Sequence, residues 1–147
     1  MNLDKLRVEI AEDEGIRFEV YLDHLGLPTV GIGHLVREYD DEYDEPVGTP
    51  VTEERVMALF EDDITSVLKD CVRLYPEFET LPEEAQLIIA NMMFNMGYSR
   101  LAKFRLMRAA VEAGDWLEAA AQMKDSRWAR QVPNRADRLI KRMERLA

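Results

Sequence analysis

Residues 12–35 read EDEGIRFEVYLDHLGLPTVGIGHL, and this stretch decides the fold of the N-terminal part of the chain. Residues 17–23 alternate between apolar and polar side chains, which predicts a strand whose polar face carries Tyr21 and Asp23. A turn leads to a second alternating run at residues 29–34, and we predict that the two runs pair as an antiparallel hairpin. Its glycines leave one face without side chains, so that a ligand or another backbone can approach closely.

In the segments before and after the hairpin, apolar residues recur at helical spacing. A short helix is predicted over residues 3–13, with Gly15 as its stop. A second helix is predicted over about residues 52–74 with Thr52 as N-cap, and at 1.5 Å per residue it would span roughly 33 Å and link two lobes. Asp63 falls at the edge of its apolar stripe, where a carboxylate needs a partner. The stripe contains Val56, Leu59, Phe60, Ile64, Val67, Leu68, Cys71 and Val72.

The C-terminal part of the sequence is predicted to be entirely helical. Residues 83–96 are apolar almost all round, which is typical of a central buried helix. The remaining predicted segments are residues 100–113, a helix capped by Asp115 with Glu118 as capping-box partner, residues 126–131, and a last helix opened by Pro133.

These elements predict an α+β fold in one domain over residues 1–147. A small lobe with the hairpin would cover about residues 14–60. A larger all-helical lobe would comprise about residues 1–13 and 75–147, and the long helix would join the two lobes.

Composition excludes several classes of protein and site. The one cysteine, Cys71, rules out an internal disulfide and a cysteine zinc site, and no nucleotide-binding glycine loop is present, so we expect no metal and no cofactor. No apolar run approaches the roughly 20 residues of a membrane span, and no signal-peptide core follows Met1, so we expect no membrane insertion. The stretch at residues 39–46 is acidic and is predicted to be a solvated connector.

The net charge of −10 argues against nucleic acid as the main partner. Residues 1–97 contain 23 acidic and 7 basic side chains (−16), whereas residues 98–147 contain 6 acidic and 12 basic side chains (+6). This asymmetry suggests that the C-terminal part meets an anionic partner. An unevenly charged, solvated helical surface is the alternative reading.

Three polar side chains in the quoted stretch could act together. Glu14 ends the first helix, Asp23 ends the first strand, and Thr29 begins the second strand on the glycine face, folded back beside Asp23. Sugar hydrolysis requires two carboxylates, one protonated to serve as acid and one ionised to activate water. With 29 acidic residues in the chain, a chance pair of surface charges is the alternative at this point.

The same stretch resembles the active-site region of the T-even phage lysozymes, glycoside hydrolase family 24. It carries the E-G pair, the Y-x-D strand end and the T-x-G-I-G-H block, in order. The resemblance continues over nearly the whole chain, through ALFEDDI (58–64), NMMFNMG (91–97), AKF (102–104) and SRWARQVPNRADRLI (126–140).

The resemblance implies a lysozyme-like fold and roles for the three polar residues. Glu14 would be the general acid, Asp23 the second carboxylate, and Thr29 the hydroxyl that positions the attacking water. The implied reaction is inverting hydrolysis of the β-1,4 bond between N-acetylmuramic acid and N-acetylglucosamine in bacterial cell walls.

Further positions follow from the resemblance alone. His34 and Asp63 match a structural ion pair, which would give Asp63 its partner. Arg135 matches an arginine near the acid that could orient Glu14, and Trp128 matches a packing residue. Three positions match residues that touch the sugar chain: Leu35, Phe94 and Gln122.

The biological role implied is that of a phage endolysin. We expect a monomer, made in the host cytoplasm, that reaches peptidoglycan glycan strands in the periplasm after another protein opens the membrane. Two alternatives stay open. A lytic transglycosylase would use one carboxylate and leave 1,6-anhydro ends, and a wall-binding module would show no turnover.

Overall fold

The computed structural model describes all 147 residues, which form two compact units. One unit is Arg7–Ser66, and the other combines Met1–Leu6 with Val67–Ala147. The helices are α1 (Leu3–Glu14), α2 (Glu53–Leu74), α3 (Glu83–Met96), α4 (Tyr98–Leu101), α5 (Arg105–Glu112), α6 (Trp116–Lys124), α7 (Arg127–Gln131) and α8 (Pro133–Glu144), with a 3-10 turn at Phe78–Thr80. The strands are β1 (Arg17–Leu22), β2 (Pro28–Gly31) and β3 (His34–Leu35). The predicted α+β class is confirmed.

The three strands form one antiparallel sheet in the order β1-β2-β3. The prediction of one continuous second strand over residues 29–34 is wrong, because the chain turns back at Ile32 and Gly33 and then pairs His34 with Val30. Gly31 and Gly33 make this turn possible, since their φ values of 65° and 64° lie in the left-handed region that other residues avoid.

The inner side of the sheet forms part of the core of this unit. Val20, Val30 and Ile32 are at most 2% exposed. Phe18 and Leu22 alternate with Val20 but remain about half exposed, and the β1–β2 register is irregular between Arg17 and Val20. The alternation along β1 therefore marks the strand but not a fully buried face.

Helix α2 matches its predicted range, and Thr52 Oγ1 accepts the Arg55 backbone N–H at 3.2 Å. Most of its apolar stripe is buried, from Val56 to Cys71. Leu68 is partly exposed, and Val72 is 41% exposed. The stripe packs tightly enough against β2 that a Cβ on Gly31 would lie 2.9 Å from Val56 Cγ1.

The helical unit has α3 in its core, as predicted. Its buried side chains include Leu87, Ile88, Ile89, Met92 and Met93, each at most 2% exposed. No helix of the protein combines the length and hydropathy that crossing a membrane requires.

Two details of the helical unit differ from the predictions. The single helix over residues 100–113 is wrong: α4 and α5 are separated by residues 102–104, where the Arg105 N–H donates to the Lys103 carbonyl at 2.9 Å in a tight turn. Asp115 caps α6, because its Oδ1 accepts the Glu118 N–H at 3.2 Å. The second hydrogen bond of a capping box, from the Asp115 N–H to the Glu118 side chain, does not form, because the Asp115 N–H donates to the Ala110 carbonyl instead.

Candidate active site

Glu14 is the last residue of α1, and its carboxyl group rests on a glycine of the sheet. The helix stops because Gly15, at φ 75°, follows it. Glu14 Oε1 lies only 2.5 Å from the point where a Cβ would project from Gly33. The bare glycine face thus accommodates the side chain of Glu14, and the half-buried carboxyl group sits against the Gly33 backbone.

Asp23 directly follows β1 and organises the turn that leads to β2. Its Oδ1 accepts the backbone N–H groups of Leu25 at 2.8 Å and Leu27 at 2.9 Å. Aspartate commonly stabilises tight turns in this way. One carboxylate oxygen is therefore fixed by the backbone, which leaves Oδ2 to act on another group.

Thr29 is buried in β2 at 3% exposed, and its cross-strand partner is Tyr21 rather than Asp23. Asp23 follows Tyr21 by two residues, and its backbone N–H donates to the Leu27 carbonyl at 3.0 Å. Thr29 and Asp23 are still linked, because Thr29 Oγ1 donates to the Leu27 carbonyl at 2.9 Å and the Leu27 N–H donates to Asp23. With its proton committed to Leu27, the Thr29 oxygen remains an acceptor for a water molecule.

Tyr21 lies among these groups and was not singled out from the sequence. The Arg17 guanidinium stacks over its ring, 4.5 Å from the centroid. Burial raises the pKa of the Tyr21 hydroxyl, and the charges of Glu14 and Asp23 add to this, against a hydrogen bond from the Gly33 backbone and the charge of Arg17. Tyr21 is also the cross-strand partner of Thr29.

His34 is held between two carboxylates. Its Nδ1 is 2.7 Å from Asp63 Oδ2, and its Nε2 is 2.8 Å from Asp40 Oδ2. Two acceptors facing both ring nitrogens suit the imidazolium, in which both nitrogens donate. Burial on its own lowers the pKa of His34, but the hydrogen bonds and charges of Asp63 and Asp40 outweigh burial and raise it.

The acidic loop is solvated along most of residues 39–46, as predicted, but two of its carboxylates are not. The side chains of Asp40 and Glu42 are each only 7% exposed. Glu42 forms a bidentate ion pair with Arg55, with both N···O distances at 3.0 Å, and these bonds lower its pKa. Burial favours a raised pKa for Asp40, but bonds from His34 and the Arg37 N–H reverse this and lower it. Loop carboxylates thus supply the buried counter-charges for His34 and Arg55.

We expect the stability of this cluster to fall on either side of mildly acidic pH. The raised pKa of His34 contributes stability that is complete below the unfolded value of about 6.5 and is lost as pH rises through the higher folded value. The lowered pKa values of Asp40 and Glu42 contribute stability that is lost as pH falls below about 4.

Urea unfolding at pH 6 and pH 9 tests the His34 contribution. The free energy of unfolding should fall between the two pH values, and it should fall less in Asp40→Asn, where one of the two groups that favour imidazolium is gone. An equal fall in both proteins would contradict this assignment.

The three sugar-contact candidates lie in different units. Leu35 is the partner of Thr29 in β3 and is partly exposed. Phe94 in α3 and Gln122 in α6 belong to the helical unit and are also partly exposed. Gln122 lines a pocket of about 240 Å³ together with Lys103, Phe104, Arg105, Leu106, Met107, Asp125 and Ser126. Their contact with sugar stays a prediction.

Two further residues matched by resemblance are buried in the helical unit. Arg135 in α8 is 8% exposed, and its Nε donates to Asn91 Oδ1 at 2.8 Å. Its orienting role toward Glu14 stays a prediction. Trp128 is 4% exposed and donates from Nε1 to Asn95 Oδ1 at 2.7 Å, as a packing residue would.

Gly33→Ala is expected to reduce activity by displacing Glu14. The new methyl group would lie 2.5 Å from Glu14 Oε1, so the flexible carboxyl group must move, and a misplacement of about 1 Å can cost roughly 10²-fold in rate. Gly48→Ala is the matched control, because Gly48 also has positive φ (93°) but no atom lies within 4 Å of its Cβ position. Equal activity losses in the two variants, measured as release of soluble glycan fragments, would contradict this account of Glu14.

The chain is similar to known proteins over most of its length. A family model described as phage lysozyme matches residues 11–145. "Probable T4-type lysozyme 1" of Dictyostelium discoideum is 32% identical over 151 residues, which cover 90% of this chain and 89% of that protein.

Two phage proteins are also similar. The "Pre-baseplate central spike protein Gp5" of Enterobacteria phage T4 is 33% identical over 88% of this chain, and "Peptidoglycan hydrolase gp36" of Pseudomonas phage phiKMV is 34% identical over 93% of it. The matched regions make up only 26% and 15% of those two proteins.

Proposed function

Since the chain belongs to the phage lysozyme family, whose members are glycoside hydrolases, we propose that it is an inverting muramidase. Its substrate would be the β-1,4 bond between N-acetylmuramic acid and N-acetylglucosamine in peptidoglycan. The observation that carries the proposal is the placement of the three polar groups in one unit. The Glu14 carboxyl rests on the Gly33 backbone, and Asp23 and Thr29 are both tied to the backbone of Leu27.

Each group then has one task in the reaction. Glu14 donates its proton to the glycosidic oxygen as the bond between that oxygen and the sugar C1 breaks. A water molecule held by Thr29 Oγ1 and Asp23 Oδ2 attacks C1 from the opposite face and gives a proton to Asp23. Attack from the opposite face inverts the configuration at C1.

Other residues would bind the glycan strand and support the catalytic groups. Leu35, Phe94 and Gln122 would contact the sugars, and Arg135 would orient Glu14. The basic C-terminal part, with a balance of +6, would face the anionic wall polymer. The cluster around His34 would hold β3 in place.

The proposed biological role is that of an endolysin in host lysis. A monomer made in the host cytoplasm would reach the periplasmic wall once the inner membrane is opened. The printed name of the phiKMV relative, a peptidoglycan hydrolase, supports the choice of substrate.

Digestion of purified Gram-negative sacculi tests the proposed reaction. Mass analysis should show muropeptides with reducing N-acetylmuramic acid ends. Fragments lighter by one water molecule would be 1,6-anhydro products, and they would show that the protein is a lytic transglycosylase instead. Binding to sacculi without release of any fragment would indicate a wall-binding module.

A further inference from the structure

We propose that the pocket beside Gln122 binds the free zwitterionic end of the diamino acid in a stem peptide of peptidoglycan, and that it thereby favours strands whose peptides are not cross-linked. The inference rests on the proposed function, because a glycan strand in the site brings its stem peptides with it. It starts from the two cations and the carboxylate that line one cavity of about 240 Å³.

The pocket lies entirely within the helical unit. It is lined by residues 103–107, which include the first turn of α5, and by Gln122, Asp125 and Ser126. Its apolar surface extends from the interior to the rim, since Met107 is fully buried and Leu106 is 67% exposed. The volume is below the roughly 300–1,000 Å³ of pockets that take drug-sized ligands, which suits a group of amino-acid size.

Lys103, Arg105 and Asp125 bring opposite charges to this pocket. All three residues are exposed, and none of their side chains forms an ion pair or a hydrogen bond within the protein, so their charges are available to a ligand. Asp125 would repel a purely anionic ligand, and Lys103 and Arg105 would repel a purely cationic one. A ligand that carries both an ammonium group and a carboxylate pairs with charges of both signs.

The uncharged polar side chains of the pocket offer one hydrogen-bond acceptor. Ser126 Oγ donates to the Met123 carbonyl at 2.6 Å and accepts the Ala129 N–H at 3.1 Å, so this hydroxyl is used within the protein. Gln122 Nε2 donates to Glu118 Oε1 at 2.7 Å, which leaves the amide oxygen of Gln122 as an acceptor. An amide N–H of a bound peptide can donate to that oxygen.

The stem peptide of peptidoglycan presents this combination of groups. In Gram-negative walls its diamino acid is meso-diaminopimelic acid, whose free end has an ammonium group and a carboxylate on one carbon. The carboxylate would pair with Lys103 and Arg105, the ammonium group with Asp125, and the methylene chain would lie on Met107. A cross-link acylates the amine and removes its charge, so a cross-linked stem peptide would lose its contact with Asp125.

Titration of the ¹⁵N-labelled protein with a stem tripeptide, N-acetyl-L-Ala-γ-D-Glu-meso-diaminopimelate, tests the pocket without requiring turnover. We expect shifts of the backbone amide signals of residues 103–107 and 122–126. The same tripeptide with its diaminopimelate amine acetylated should bind roughly 5-fold more weakly, the upper scale of one exposed ion pair. No binding, shifts confined to other residues, or equal affinity for the two peptides would overturn the proposal.

Two variants assign the charges of the pocket to parts of the ligand. Asp125→Asn should bind the two peptides equally, because no carboxylate is left to recognise the amine. Arg105→Gln should weaken the binding of both peptides by a similar factor, because both retain the carboxylate. Asp62→Asn and Lys124→Gln are the matched controls, since both side chains are exposed outside the pocket, and they should keep wild-type affinities. Discrimination between the peptides that survives in Asp125→Asn would overturn the proposal.

Activity measurements separate this inference from the proposed function. The wild-type KM should be lower for soluble strands with un-cross-linked stem peptides than for cross-linked strands, and Asp125→Asn should narrow that gap with kcat unchanged. Peptide binding in the pocket without cleavage of sacculi would refute the muramidase and still support the ligand of the pocket. Cleavage of sacculi without peptide binding would overturn the proposal for the pocket alone.

Discussion

Glu14→Gln is expected to lower kcat by at least about 10²-fold, the usual contribution of a general acid. Glutamine has nearly the same shape as glutamic acid, so it can occupy the same place against Gly33, but it has no acidic proton to give to the leaving oxygen. The free energy of unfolding and the KM for glycan strands should therefore change little. Initial rates on soluble strands, with urea unfolding in parallel, measure both effects.

Glu12→Gln is the matched control for this prediction. Glu12 is on the same helix as Glu14, and its replacement by glutamine removes the same charge. Unlike Glu14, Glu12 is exposed. Near-full activity in Glu14→Gln, or an equal loss in Glu12→Gln, would remove Glu14 from the role of acid.

His34→Ala is expected to cause the largest loss of stability among the single changes considered. It removes the cation between Asp40 and Asp63 and leaves two carboxylates facing each other in a largely buried site. Breaking a buried ion pair from one side costs about 3–5 kcal/mol. We expect about 2–3 kcal/mol at pH 6, below that range because Asp63 remains 26% exposed and can be solvated.

His24→Ala is the control, since His24 is the only other histidine and is exposed. A change below about 0.5 kcal/mol is expected for it, as for most surface substitutions. If urea unfolding gave an equally small change in the free energy of unfolding for His34→Ala, the two close contacts of His34 would not contribute to stability.

The local sequence pattern of the hairpin was sufficient to predict most of its chain path, but not the turn inside it. Alternation and glycine content predicted strands and a close approach to the glycine face. The reversal at Ile32 depends on left-handed backbone at Gly31 and Gly33, which alternation does not reveal. The group that approaches Gly33 belongs to α1, so only the tertiary structure identifies it as Glu14.

In the cluster around His34, too, only part of the structure could be predicted from the sequence. Asp63 was recognised because a carboxylate at the edge of an apolar stripe needs a partner. Asp40 and Glu42 lie in a run of acidic residues that all resemble a solvated loop in sequence. Their burial follows from bonds to His34 and Arg55, and those residues have no fixed sequence spacing from the loop.

Tyr21 could have been found from the sequence, because strand alternation places it on the same face as Asp23. The signal was weak, since tyrosine is common in strands for reasons of packing. Its place opposite Thr29 follows from the register of β1 and β2, which alternation alone does not fix. The sequence thus predicts the two acids and the alcohol, and it does not single out Tyr21, which pairs with Thr29 across the sheet.

The configuration of the newly formed sugar end tests the central claim most directly. If Glu14 donates the proton while water held by Asp23 and Thr29 attacks from the opposite face, cleavage of a β bond yields an α end first. Proton NMR during the first minutes of digestion of soluble glycan strands distinguishes the two anomers before they interconvert. We predict the α anomer; initial release of the β anomer would contradict the account.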